Sequence, residues 1–216
     1  MSDPVISIVD LRVAYPPSRA SRDLAGRGRP VRAVDGVSLD LRPGEVLALV
    51  GESGSGKTTI AHALMRLVSP TSGRIVHHGR DITHLAGAEL RALRRSFQLI
   101  FQDPYESLDP RQTVEAIICE PLLIHGVGRT GDERRELVRR ALASVGLTPA
   151  DEFAGRFPHQ LSGGQRQRVS IAAAMVLEPE LVVADEPVSM LDVSVRAGIL
   201  RLILDLRAAR GFACLF

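Results

Sequence analysis

The stretch GESGSGKTT at residues 51–59 sets Gly51, Ser53, Gly54, Ser55, Gly56, Lys57, Thr58 and Thr59 in an order that suits phosphate. Glycines leave backbone N–H groups bare enough to wrap an oxyanion; a lysine ammonium reaches the terminal phosphates, and a threonine hydroxyl can hold Mg²⁺. Lys57 is the only lysine in the chain, against 26 arginines. A tight phosphate loop accommodates a compact ammonium and not a flat guanidinium fork, so the position of that one lysine independently supports the site. Further along, LVVADE ends in two carboxylates. Asp185 can hold Mg²⁺ through water and Glu186 can orient or deprotonate an attacking water. Alone, such a pair reads first as a helix cap; downstream of a phosphate loop the catalytic reading is preferred. A second glycine-rich stretch, LSGGQRQRVS at residues 161–170, also suits an oxyanion. Ser162 can cap a helix start while Gly163 and Gly164 bare more N–H groups, so one short chain carries two phosphate-binding patterns.

The elements that must position these groups follow from periodicity. Residues 5–15 and 31–41 alternate apolar and polar side chains, which predicts half-exposed strands of an antiparallel sheet. Between them PPSRASRDLAGRGRP has no period and reads as an exposed loop, its arginines either solvated or touching acidic lipid or a partner. EVLALV at 45–50 and LVVA at 181–184 are continuously apolar, as expected of parallel strands covered on both faces. The phosphate loop thus lies between a strand and the helical run TIAHALMRLV. Residues 113–146 carry two helical patterns, the second opening at Gly131 and Asp132, and predict a separate helical lobe. No internal repeat is present.

Taken together, LSGGQ at 161–165, EPVSMLD at 186–192 and FQDPYESLDPR at 101–111 closely resemble the ATP-binding cassette (ABC) family over nearly the whole chain. That resemblance implies an α/β fold: a P-loop NTPase core with a mainly parallel sheet, an N-terminal antiparallel β subdomain and an inserted α-helical subdomain. The implied division is a single ABC ATPase domain, with residues 1–102 and 161–216 forming the core and 103–160 the helical subdomain. It also implies two cassettes meeting head to tail, each ATP held between the phosphate loop of one and the LSGGQ helix of the other. On that reading Ser162, Gly163, Gly164 and Gln165 serve the γ-phosphate bound to a partner. Tyr15 matches the aromatic that stacks on adenine, with a plain strand aromatic as the other reading. Gln102 matches the glutamine that senses Mg²⁺ and γ-phosphate, and Asp192 the aspartate linking the two sites, with Met190 where the family often has alanine. The same motifs, with the long loop at 16–30, look like the dipeptide, oligopeptide and nickel importer ATPases. The resemblance therefore implies ATP and Mg²⁺ as cofactors and a second ATPase subunit and membrane permease subunits as partners. A solute-binding protein would deliver the cargo, with the chain peripheral on the cytoplasmic face of the inner membrane. Dipeptide, oligopeptide, glutathione and nickel stay open as cargo.

The family also carries a histidine after the strand that follows the Asp192 helix, and the sequence ends at Phe216 within that strand. The expectation is a C-terminally truncated cassette that binds ATP, hydrolyses it poorly and folds marginally.

Composition is compatible with these readings. The 216 residues are 45% apolar, enough to fill an interior, and 27 basic against 25 acidic residues leave a net charge of +2. So even a balance argues against nucleic acid as a partner. Two cysteines, Cys119 and Cys214, suggest neither a disulfide scaffold nor a zinc site, and a reduced compartment is expected. No apolar run reaches the ~20 residues of a membrane helix. His159 reads as structural, His77 and His78 as a turn for want of a third ligand nearby in sequence, and Arg134, Arg135, Arg139 and Arg140 as a wet helix face.

Overall fold

The computed structural model describes residues 3–16, 29–103 and 107–216, so most of the arginine-rich loop at 16–30, and residues 104–106 of the FQDPYESLDPR stretch, lie outside the described residues. The first sheet is antiparallel. Strand β1 (Ile6–Tyr15) pairs with β2 (Val31–Leu41) on one side and β4 (Ser72–His77) on the other, and β5 (Arg80–Asp81) completes the order β2-β1-β4-β5. Ile6, Ile8, Leu11 and Val13 of β1 are buried. The change of parity between Ile8 and Leu11 requires an extra residue, and the register shifts there, with Asp10 turned to φ 47°. This bulge keeps both halves of β1 facing the core.

The second sheet is parallel, in the order β3-β8-β7-β6, from β3 (Val46–Leu47), β6 (Phe97–Ile100), β7 (Leu181–Ala184) and β8 (Ala213–Leu215). All four residues of β7 are buried. Val182 and Ala184 face a core shared with the helices, while Leu181 and Val183 face the core beneath the antiparallel sheet. Both faces are covered, which is the reason LVVA contains no polar position. EVLALV departs from that expectation. Among the described residues it pairs with β8 alone, and Val46 and Leu47 are half-buried and Val50 is 94% exposed. Its hydrogen bonds continue past β3, with Leu49 N donating to the Phe216 carbonyl at 2.7 Å.

Helices cover the parallel sheet and connect its strands. These are α1 (Lys57–Leu64) and α2 (Gly87–Ser96), then α3 (Val114–Ile124), α4 (Gly131–Ser144) and α5 (Ala150–Ala154), then α6 (Gly163–Met175) and α7 (Val193–Arg210). The cap of α4 is Thr130, whose hydroxyl accepts from Glu133 N at 3.1 Å, one residue before the expected opening. Buried residues of α3 and α4, such as Ile118 and Leu142, form one continuous core with Val169 and Met175 of α6 and Val182 of β7. The helical segment is thereby anchored to the strand that leads to Asp185. No described helix is long and apolar enough to cross a membrane.

Candidate functional site

The phosphate loop joins β3 to α1, and its backbone explains its glycines. Gly54 and Gly56 take φ of 81° and 94°, left-handed values that other residues adopt only with strain. A Cβ on Gly56 would lie 2.2 Å from the Ala33 carbonyl oxygen, whereas one on Gly54 would meet nothing within 4 Å. Gly56→Ala is therefore expected to destabilise the fold by about 3 kcal/mol, a fall in Tm of roughly 6–12 °C. Gly54→Ala should cost only about 1–2 kcal/mol, for conformation alone. Calorimetry on the two variants checks the difference. Lys57 folds back over the loop, its Nζ donating to the Gly51 carbonyl at 2.8 Å and the Glu52 carbonyl at 2.9 Å. A cation aimed into a ring of backbone groups is the donor set a phosphate chain requires.

The carboxylates arrive from the other end of the chain. β7 aligns with β6, and Asp185 N donates to the Ile100 carbonyl at 3.1 Å, which continues the ladder past both strand ends. Asp185 and Glu186 thereby stand level with Gln102. The Thr58 hydroxyl donates to Asp185 Oδ1 at 3.1 Å across 127 residues of sequence, and Gln102 Nε2 donates to Glu186 Oε2 at 3.2 Å across 84. Glu186 sits at φ 46°, a bend that turns the chain out of the sheet immediately after Asp185. A cleft of about 620 Å³ is lined by Thr58, Gln102 and Asp185 with Phe101 and Met190, and a smaller one of about 230 Å³ by Lys57, Asp185 and Glu186. The hydroxyl and carboxylate oxygens of Thr58 and Asp185 are hard donors that fit Mg²⁺. Asp109, in the segment that follows Gln102, is gripped by the Arg111 side chain and backbone, which hold its carboxyl down at about 2.

The second glycine-rich stretch is built differently. Ser162 caps α6 reciprocally: its hydroxyl accepts from Gln165 N at 3.3 Å, and its own N–H donates to Gln165 Oε1 at 3.0 Å. A Cβ on Gly164 would lie 2.8 Å from Val195 Cγ1, so the missing side chain lets α6 lie close against α7. Neither cleft beside Lys57 and Thr58 is lined by Ser162, Gly163, Gly164 or Gln165. Tyr15, 39% exposed at the end of β1, and Asp192, exposed just ahead of α7, also stand outside both. The fold therefore brings together Lys57, Thr58, Gln102, Asp185 and Glu186 and leaves Tyr15, Asp192 and the LSGGQ end of α6 apart from those clefts.

Other expectations find their places. His159 stacks on Phe157 with ring centroids 5.6 Å apart, a packing role. Arg135, Arg139 and Arg140 pair on the exposed face of α4 with Asp132, Asp151 and Glu136, while Arg134 turns back to the Gly128 carbonyl. Burial pushes the Cys214 thiol up to about 12, so it is not a ready nucleophile. His77 and His78 are more than a turn. Both imidazoles reach the carboxylate of Glu180, which no local spacing signals because it lies 102 residues from His78. Burial works against a charge on Glu180, but hydrogen bonds from His78 and His77 outweigh it and hold its carboxyl below the usual range. Burial likewise lowers His77 and favours its neutral ring.

Similarity to known proteins agrees with this geometry. The chain is 55% identical over 188 residues to the glutathione import ATP-binding protein GsiA of Salmonella typhimurium, which covers 87% of this chain and 30% of that protein. It is 49% identical over 192 residues to the putative oligopeptide transport ATP-binding protein YkfD of Bacillus subtilis, covering 89% of this chain and 58% of that one. The chain thus spans about a third to somewhat over half of the length of these relatives. Among solved structures, the ATP-binding cassette MJ0796, in a dimeric post-hydrolysis state with ADP and Pi, superposes with a TM-score of 0.81 at 28% identity, over 97% of this chain and 86% of that one. CbiO1 of Clostridium perfringens, part of the ABC transporter complex cbiONQ, gives 0.81 at 27% identity, over 99% and 78%. The ABC transporter family matches residues 34–189, which contain every one of the five residues gathered at the clefts as well as the LSGGQ helix start, and the chain belongs to that family.

Proposed function

We propose that this chain is an ATP-hydrolysing subunit that works in a head-to-tail pair to power import of a peptide or a related solute, glutathione and nickel included, through a membrane permease. The observation that carries the reading is the separation within one protomer: the phosphate loop with its carboxylates forms the clefts, while the capped N-terminus of α6 lies outside them. A helix N-terminus adds N–H donors and a favourable dipole for an anion, and a partner's γ-phosphate is the anion the pairing would supply. The dimeric cassette among the structural relatives, and relatives named for glutathione import and oligopeptide transport, support it.

In this reading the backbone of residues 51–56 and Lys57 bind the ATP phosphates. Thr58, Asp185 and Gln102 would hold Mg²⁺, which would supply charge neutralisation for the phosphates. Glu186, held by Gln102, orients the attacking water and takes its proton. Tyr15 stacks on the adenine and Asp192 links the two sites. Because the γ-phosphate is shared, binding joins the two subunits and hydrolysis lets them part. Residues 1–102 and 161–216 act as the nucleotide-binding core and 103–160 as the helical subdomain. A groove of about 640 Å³, lined by Leu67, Leu90, Phe101, Ile124 and Leu177, with Leu67, Phe101 and Ile124 exposed, suits an apolar segment of a permease subunit. The chain would then sit peripherally on the cytoplasmic face of the inner membrane, with a solute-binding protein delivering cargo from the other side.

A mixing experiment tests the pairing. Lys57→Ala removes the phosphate-loop cation, and Ser162→Asp keeps the helix cap while placing a carboxylate where the partner's γ-phosphate would sit. Each variant alone is expected to lose hydrolysis by about 10². An equimolar mixture should recover roughly a quarter of the unmodified rate, because half of the dimers are mixed and each of those has one intact composite site of two. A mixture no faster than its components, or full activity of Ser162→Asp alone, would overturn the head-to-tail reading. The same assay separates hydrolysis from nucleotide binding alone, since a pure binding module would dimerise with ATP and release no phosphate.

A further inference from the structure

We propose that His77, His78 and Glu180 form a binding site for a divalent transition ion such as Zn²⁺, one that clasps the antiparallel sheet to the parallel sheet. Adjacent residues of a strand project to opposite faces, so two neighbouring histidines do not ordinarily converge. Here β4 ends at His77, and His78 turns to φ 45°, which swings its ring to the same side as its neighbour. The ring centroids come within 4.4 Å, and the Nε2 atoms of His77 and His78 stand 3.2 and 2.8 Å from the same oxygen, Glu180 Oε2. All three ligand atoms lie within 4.8 Å of one another.

That spacing fits a metal. Four ligands at the usual zinc–nitrogen and zinc–oxygen lengths of about 2.0–2.2 Å stand roughly 3.3–3.6 Å apart along the edges of the tetrahedron. The two nitrogen–oxygen separations are slightly below those edges and the nitrogen–nitrogen one lies within 4.8 Å, so side-chain adjustment without movement of the backbone brings the triad to tetrahedral spacing. Two imidazoles are borderline donors, and with them in the majority over one hard carboxylate the set suits Zn²⁺ and its neighbours over Mg²⁺. The rings are also held from behind: His77 packs edge-on against Phe97 at 4.8 Å, and the backbone N–H of His78 donates to the Val5 carbonyl at 3.2 Å. Glu180 is fixed at both main-chain groups, its N–H donating to the Ser96 carbonyl and its carbonyl accepting from Ala213 N. Side-chain exposures of 54% for His78 and 50% for Glu180 leave the fourth coordination position open to water.

The site is separate from the phosphate loop. Glu180 precedes β7 and Asp185 follows it, so the two carboxylates stand at opposite ends of one strand, roughly 16 Å apart at strand rise. An ion bound here would join the turn after β4 to the start of β7, two segments otherwise linked at this point by two hydrogen bonds.

The test is a Zn²⁺ titration of the nucleotide-free chain against a chelator, in millimolar Mg²⁺ to saturate oxygen sites, with Co²⁺ as a spectroscopic probe. The unmodified chain is expected to bind one equivalent of Zn²⁺, to melt at higher temperature with it, and to give the visible absorption of four-coordinate Co²⁺. His78→Asn removes a ligand with a residue that tolerates the left-handed backbone, and Glu180→Gln keeps the shape of the carboxylate. Each should lower Zn²⁺ affinity at least tenfold and abolish the Co²⁺ band, while Thr58→Ala leaves both unchanged. No bound equivalent in the unmodified chain, or the same affinity in a His77→Ala, His78→Asn double variant, would overturn the proposal. Since the readouts are metal binding and spectra, failure here leaves the ATPase reading intact, and failure of the mixing experiment leaves the metal site intact.

Discussion

Glu186→Gln is expected to slow ATP hydrolysis by about 10²–10³ while ATP affinity changes by less than about threefold. The variant keeps the shape of the side chain and an oxygen that can still accept from Gln102 Nε2, now at 3.2 Å, so the cleft is not rearranged. What it loses is the ability to take a proton from water. In the proposed reading the binding contacts come from Lys57, Thr58 and the loop backbone, whose own hydrogen bonds do not involve Glu186. Since hydrolysis is the step that would release the partner, the variant should accumulate as a dimer in ATP and Mg²⁺. Light scattering coupled to size exclusion, with and without ATP, reads this directly. A monomer in ATP would contradict the switch, and an unchanged rate of phosphate release would remove Glu186 from the role of base.

Lys57→Ala is the second large effect, and it acts at the binding step. A charge-assisted contact to phosphate contributes about 2–3 kcal/mol, so affinity for ATP should fall roughly 30- to 150-fold. The fold should be spared. The ammonium of Lys57 bonds to the carbonyls of Gly51 and Glu52 within its own loop, so its loss leaves the two cores intact and Tm should move by no more than about 2 °C. Lys57→Arg should fail almost as badly, because the contacts at 2.8 and 2.9 Å leave no room for a forked head group. Titration calorimetry with a non-hydrolysable ATP analogue and a thermal melt decide the matter. Arginine restoring normal affinity would show that the chain's one lysine is not selected for the shape of this loop.

The two effects also separate binding from chemistry. Lys57 belongs to a contiguous motif read from a single line of sequence. Glu186 owes its partner to topology, since Gln102 reaches it only because β6 and β7 are neighbours and continue their ladder to Asp185. A substitution that disturbs that register should move Asp185 and Glu186 together.

Local chemistry made much of the protein legible in advance. A glycine-rich loop holding a cation and a cap-forming serine are properties of a few adjacent residues, so the loop around Lys57 and the cap at Ser162 could be expected from spacing alone, while the left-handed turns at Gly54 and Gly56 appear only in the structure. The buried strand at 181–184 was equally plain, because a sheet covered on both faces tolerates no polar position. EVLALV carried the same signal, yet among the described residues it has one strand neighbour and is only half-buried, since apolar content reports hydrophobicity and not the number of neighbours a strand has. The tertiary structure alone decided which distant groups meet. Glu180 faces His77 and His78 because β4 and β7 belong to two sheets that close on one core, and no pattern along the chain encodes that meeting. The separation of the LSGGQ helix from the phosphate-loop clefts was settled in the same way: both ends are locally specified, but the distance between them is set by how α6 packs on α7 and on the helices before it.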